Sequence, residues 1–128
     1  MARTASTRPP LPPELRIRVI LGGGVMIGPG KADLLDGIRE TGSIAAAGRR
    51  MGMSYKRAWL LVETMNAGFA APLVETSRGG ARFGGATLTD AGEAVLGHYR
   101  SLQAKAAQAA SGELAALRRM AREIPEEI

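Results

Sequence analysis

Charged and β-branched residues alternate from Arg16 to Leu21 before the chain turns fully apolar, a period of two that predicts a strand. Gly22, Gly23 and Gly24 interrupt it and Val25-Met26-Ile27 resumes it, which predicts a bulge or a tight hairpin. After a stop at Gly28-Pro29-Gly30, the apolar positions change period. Ala32, Leu34, Leu35 and Ile38 recur at three- and four-residue steps, so residues 31–40 read as an amphipathic helix. Thr41-Gly42 closes it, because a glycine just past a helix accepts positive φ cheaply. Ser43 is placed to cap a second, short helix over 44–51. Gly52 breaks that helix, and Ser54 caps a third from 55 to about 65.

Beyond these helices, PLVET (72–76) reads as a strand, SRGGARFGGA follows, and Thr87-Leu88 resumes extended character. Two short strands around a glycine-rich, arginine-bearing loop predict a wing-like hairpin. Thr89 caps a long helix from 90 to about 110. Along it Val95, Tyr99, Leu102, Ala106 and Ala109 step by four, three, four and three, a seam of coiled-coil type. A helix of this length has little else to cover that seam, so a dimer contact is expected there. Gly112 is expected to interrupt the helix. Leu114, Leu117 and Met120 suggest one more short helix, and the acidic end Pro125-Glu126-Glu127 is expected to fray.

Composition narrows the function. With 128 residues and 45% apolar content the chain suits one compact domain. Its +5 charge, from 17 Lys and Arg against 12 Asp and Glu, suits a polyanionic partner such as nucleic acid. The absence of cysteine excludes disulfides, thiolate zinc sites, iron–sulfur clusters and cysteine nucleophiles. His98 is the sole histidine, so no His-rich metal site can form, and it is read as structural or exposed. No apolar run reaches the ~20 residues of a membrane span, and the basic start MARTASTRPPLPPELR lacks the apolar stretch of a secretory signal. A cytoplasmic, soluble protein is expected. Residues 1–14 hold four prolines and are expected to form an extended or disordered basic arm, in which Arg3 and Arg8 are more simply solvated than bound to phosphate.

The glycines of 22–30 invite a phosphate-loop reading, and spacing rejects it. A Walker loop ending at Gly30-Lys31 needs glycine where Val25 stands and a hydroxyl where Ala32 stands. Consecutive glycines also miss the dinucleotide pattern. They are turn residues.

The informative stretch is 41–65. Two helices joined by a tight turn form a helix–turn–helix when the inner faces are apolar and the second helix presents basic side chains. Ile44, Ala47, Gly48 and Met51 supply the inner face of the first helix, and the small residues at 47 and 48 let the next helix cross closely. Met53 fills the turn. Ala58, Leu61, Val62 and Met65 turn the second helix inward, leaving Ser54, Tyr55, Lys56 and Arg57 outward at its start. A helix in the major groove reads base edges with its first turns: Lys and Arg donate to guanine O6 and N7, while Ser and Tyr bond phosphates or bases. Arg49 and Arg50, ending the preceding helix, are placed to hold the flanking backbone. Between residues 43 and 85 there are six Lys or Arg against two acids, most of the chain's excess. Arg78 and Arg82 lie where a wing meets phosphates or the adjacent minor groove. A merely solvated basic helix start and a merely flexible hairpin are the plainer readings of these features. Trp59 is read as an apolar anchor rather than a ligand-stacking ring.

The fold class expected is mainly α with a small β-hairpin wing (α+β): a winged helix–turn–helix with a long C-terminal dimerisation helix. Residues 15–110 form the DNA-binding domain, including the dimerisation helix over 89–110, and 111–128 form a tail or short helix.

The segment KADLLDGIRETGSIAAAGRRMGMSYKRAW (31–59), then Met65-Asn66, PLVETSRGG and GGATLTDAG, resembles the N-terminal DNA-binding domain of ModE-type molybdate-responsive transcriptional regulators, a winged helix related to the LysR-type module. The resemblance covers roughly 15–110. It implies a homodimer on a palindromic operator, with the helix start at Ser54, Tyr55, Lys56 and Arg57 in the major groove, the 78–85 loop as wing and the 89–110 helix in dimerisation. This wing carries Phe83 and two arginines where the family has almost wholly glycine and lysine. Family members continue into molybdate-binding domains. Residues 111–128 cannot supply the convergent amide, hydroxyl and lysine donors such a pocket needs, so direct molybdate binding is not expected.

The reading is therefore a sequence-specific DNA-binding transcriptional regulator of the ModE type, without the molybdate-binding domains, binding double-stranded DNA and no membrane. It needs no cofactor and no metal, and it is no enzyme, since no nucleophile–base pair can be assembled. Two rivals remain: a protein-interaction module partnering another regulator, and a small oxyanion binder using Arg78, Arg82 and the glycine amides.

Overall fold

The alternation near the N-terminus folds as an antiparallel hairpin, β1 (Val19–Gly22) with β2 (Val25–Ile27), in a computed structural model that describes residues 15–77 and 85–122. Val19 pairs with Ile27 and Ile20 with Met26, and a bulge between Ile20 and Gly22 shifts the register. Gly22, Gly23 and Gly24 all have positive φ, which only glycine adopts without strain, so the reversal needs this run.

Three helices follow: α1 (Pro29–Thr41), α2 (Ile44–Arg50) and α3 (Tyr55–Gly68). Gly28-Pro29-Gly30 is the start of α1 rather than a stop before it. Proline's fixed φ suits the first helical turn, where its missing N–H would find no intrahelical partner. Gly42 ends α1 at φ 73°, donating its N–H to the Ile38 carbonyl. α2 stops at Arg50, and α3 runs three residues beyond the expected 65. A second hairpin pairs β3 (Val74–Ser77) with β4 (Gly85–Leu88), with Val74 opposite Leu88 and Ser77 opposite Gly85. The Ala86 N–H donates to the Gly42 carbonyl at 2.9 Å, fixing β4 to the end of α1. The remaining helices are α4 (Asp90–Ala109) and α5 (Ser111–Met120). The break between them falls at Ala110, and Gly112 sits inside the first turn of α5.

The described residues divide into a larger unit, Arg16–Gln103, and a smaller one that includes residues 104–122. In the larger unit, Leu34, Leu35 and Ile38 of α1 meet Val62 and Met65 of α3, Leu73, and Leu96 of α4 in one fully buried cluster. Each such side chain contributes about 1.5–3 kcal/mol of hydrophobic stabilisation. Outside this core an ion-pair brace joins α4 to α1: Arg100 donates to Asp33 at 2.8 Å and to Asp36 at 2.5 Å, while Arg39 bridges Asp36 and Glu93. Burial works against the Arg100 charge, but its hydrogen bonds to the two carboxylates outweigh that and raise its pKa. In the smaller unit α5 is amphipathic, with Leu114, Ala115 and Ala116 half-buried and Leu117 and Met120 exposed.

Candidate nucleic-acid interface

Small residues set the crossings on which the site is built. A Cβ on Gly37 would stand 2.9 Å from the Ala47 Cβ, and one on Gly48 would stand 3.0 Å from the Ala58 Cβ. α1, α2 and α3 therefore pack backbone to backbone, and larger residues would force them apart. Between α2 and α3 the Met51 and Met53 N–H groups both donate to the Gly48 carbonyl at 3.0 Å, and Gly52 supplies φ 72°. Ser43 and Ser54 each accept a hydrogen bond from the third residue of the helix they cap, Ala46 and Arg57. Each cap stabilises its helix by about 1 kcal/mol.

Ser54 fixes which way α3 begins. Ala58, Val62 and Met65 are buried and Leu61 packs against the core, while Ser54, Tyr55, Lys56 and Arg57 are all exposed. Neither Lys56 nor Arg57 forms an ion pair among the described residues. Their charges add to the positive end of the α3 dipole, so this turn attracts anions. The Tyr55 ring stacks on Trp59, with centroids 6.4 Å apart and planes inclined by 21°. Trp59 is half-buried against the core, which holds the exposed tyrosine in place.

Arg49 and Arg50 end α2 on the exposed side, next to the turn. Arg50 also pairs with Glu40 at 2.7 Å, both side chains about half exposed. Such a surface pair contributes roughly 0.2–1 kcal/mol, little enough for a phosphate to displace. Arg78 and Arg82, expected at the wing tip, lie outside the described residues. His98 is exposed on α4.

The seam on α4 divides. Gly92, Leu96 and Tyr99 form the face that covers the core. Tyr99, expected in a dimer contact, is only 3% exposed and donates its hydroxyl to the Ile17 carbonyl, so its own chain already occupies it. Val95 also packs against that core. Leu102 is 39% exposed, Ala106 is half-buried and Ala109 is exposed.

Two further residues tie the segment entering β3 to the helices, Asn66 to α3 and Thr89 to α4. Asn66, near the end of α3, accepts from the Leu73 and Val74 N–H groups at 2.8 and 3.1 Å and donates to the Val74 carbonyl at 3.0 Å. Thr89 donates its hydroxyl to the Pro72 carbonyl at 2.6 Å and accepts from the Gly92 N–H, capping α4 while tying it to the strand approach. The cap was legible in the sequence. The only signal for Asn66 was a polar residue four positions after Val62, on the inward side.

Helix–turn–helix, hairpin and following long helix in this order define a winged-helix domain. Residues 32–93 match the family model for the bacterial regulatory helix-turn-helix protein, lysR family. The chain carries a lysR-family helix–turn–helix domain, related in sequence to the ModE and Mop proteins. It is 45% identical over 85 residues to the molybdenum-pterin-binding protein MopB of Rhodobacter capsulatus, covering 66% of this chain and 32% of that protein. It is 41% identical over 70 residues to the molybdenum transport protein ModE of Azotobacter vinelandii, covering 55% and 26%. Against the DNA-binding transcriptional dual regulator ModE of Escherichia coli K12 the identity is 34% over 86 residues, covering 67% and 33%. The chain thus spans about a third or less of these relatives' length. Among solved structures it is similar to the CbnR DNA-binding domain in complex with DNA, at TM-score 0.54 and 25% identity, covering 69% of this chain and 95% of that one.

Proposed function

We propose that this chain is a sequence-specific DNA-binding transcriptional regulator of the ModE type, working by binding rather than catalysis, as a cytoplasmic homodimer on a palindromic operator. The observation that carries this reading is the exposed, cationic first turn of α3, capped by Ser54 and presented by a helix–turn–helix. Lys56 and Arg57 donate to guanine edges in the major groove, and Ser54 and Tyr55 bond phosphates or bases. Arg49 and Arg50 hold the flanking phosphates, and Arg78 and Arg82 bring the wing to the neighbouring minor groove. Leu102, Ala106 and Ala109 of α4 serve the contact between protomers, without Tyr99 and Val95. The relatives' names supply the link to molybdenum.

An anisotropy titration against promoter fragments from the source genome tests this. Lys56→Ala and Arg57→Ala should each weaken binding about tenfold or more, as loss of a base contact does. Wild-type affinity in both variants would remove α3 as the recognition helix.

A further inference from the structure

Lys56, Leu60 and Glu63 follow one another at steps of four and three, so they share the face of α3 opposite the buried Ala58, Val62 and Met65. Leu60 is 57% exposed at the middle of that face, whereas its neighbour Leu61 packs against the core. The Thr64 hydroxyl, one turn further on, donates to the Leu60 carbonyl at 2.9 Å and is thereby turned to the backbone. A single exposed leucine ordinarily needs no explanation. Here its position supplies one, because it stands one turn beyond Lys56 on a face otherwise occupied by charge.

We infer that Leu60 is a specificity-determining residue that reads the C5-methyl group of a thymine in the major groove. The inference rests on the DNA-binding reading above and adds the base that α3 selects. Thymine's methyl is the apolar group that the base pairs display in the major groove, and apolar side chains read it by contact. Four helical residues rise about 6 Å, and successive bases on a strand are about 3.4 Å apart. Leu60 therefore meets a base about two steps from the one Lys56 contacts. The preferred half-site places a thymine about two positions from a guanine.

The experiment uses the whole chain and a duplex selected by it from genomic fragments. Each thymine of the half-site is replaced in turn by deoxyuridine, which removes only the methyl group. One position should weaken wild-type binding about fourfold, the loss expected for one buried methyl. Leu60→Ala should bind the thymine duplex correspondingly less tightly and be indifferent to uracil at that position. Because Leu60 lies outside the core, the variant's melting temperature should match wild type. If no uracil substitution affects wild type, or if Leu60→Ala keeps the full uracil penalty, the inference is overturned while the DNA-binding reading stands. Failure of wild type to select any duplex would overturn both.

Discussion

The carbonyl oxygen of Leu73 occupies the space where a side chain at position 92 would begin: a Cβ on Gly92 would stand 2.1 Å from it. Only glycine lets the first turn of α4 lie this close to the segment entering β3. Gly92→Ala should therefore cost about 1–3 kcal/mol, as forced overpacking does. Gly97, on the same helix, has nothing within 4 Å of its virtual Cβ, and Gly97→Ala should stabilise by up to about 1 kcal/mol through helix propensity. Urea unfolding of the two variants should give opposite signs, and a common sign would refute the close-approach argument.

Asn66 holds the Leu73 and Val74 backbone with three hydrogen bonds. Asn66→Leu should cost about 1–3 kcal/mol, because part-buried backbone groups lose their partners. Asn66→Asp keeps an acceptor for both N–H groups but sets its second carboxylate oxygen against the Val74 carbonyl where the donor stood; the two retained bonds still make its loss the smaller. Equal losses in thermal unfolding would mean that packing, rather than these bonds, fixes the wing.

Elements specified by neighbouring residues were legible in the sequence, and those specified across the fold were not. Ser43, Ser54 and Thr89 each cap a helix with an oxygen three residues before the N–H that it accepts from, and Gly42 and Gly52 supply positive φ where a turn closes. The exposed turn from Ser54 to Arg57 followed from that cap together with the inward spacing of Ala58, Val62 and Met65. Gly28-Pro29-Gly30 misled because the same residues punctuate a loop and begin a helix, and only the chain's continuation separates the two. Tyr99 fitted the heptad-like spacing, yet its partner Ile17 lies 82 residues away, a contact that no local pattern encodes. The structural roles of Gly92 and Asn66 were not legible for the same reason, since both answer to Leu73 from different elements.

Burial disfavours the Tyr99 phenolate and raises the pKa of the phenol above its ordinary value. The unfolded chain then loses this proton first. The stability it contributes is complete below the unfolded phenol's pKa of about 10 and declines as pH rises through the folded value. Tyr99→Phe should lower stability at neutral pH by about 0.5–1.5 kcal/mol through loss of the Ile17 bond, and it should flatten this alkaline decline. Unfolding midpoints between pH 8 and 11, compared for the two proteins, measure both effects. An unchanged alkaline slope in the variant would assign the decline to other groups.

The most direct test of α3 as a major-groove helix is the discrimination between a selected duplex and the same duplex with its half-site guanines replaced. Wild type should bind the selected duplex about tenfold or more tightly than the replaced one, and the Lys56→Ala, Arg57→Ala double variant should bind more weakly and lose most of that preference. A double variant with wild-type affinity and wild-type preference would mean that these two cations never meet DNA.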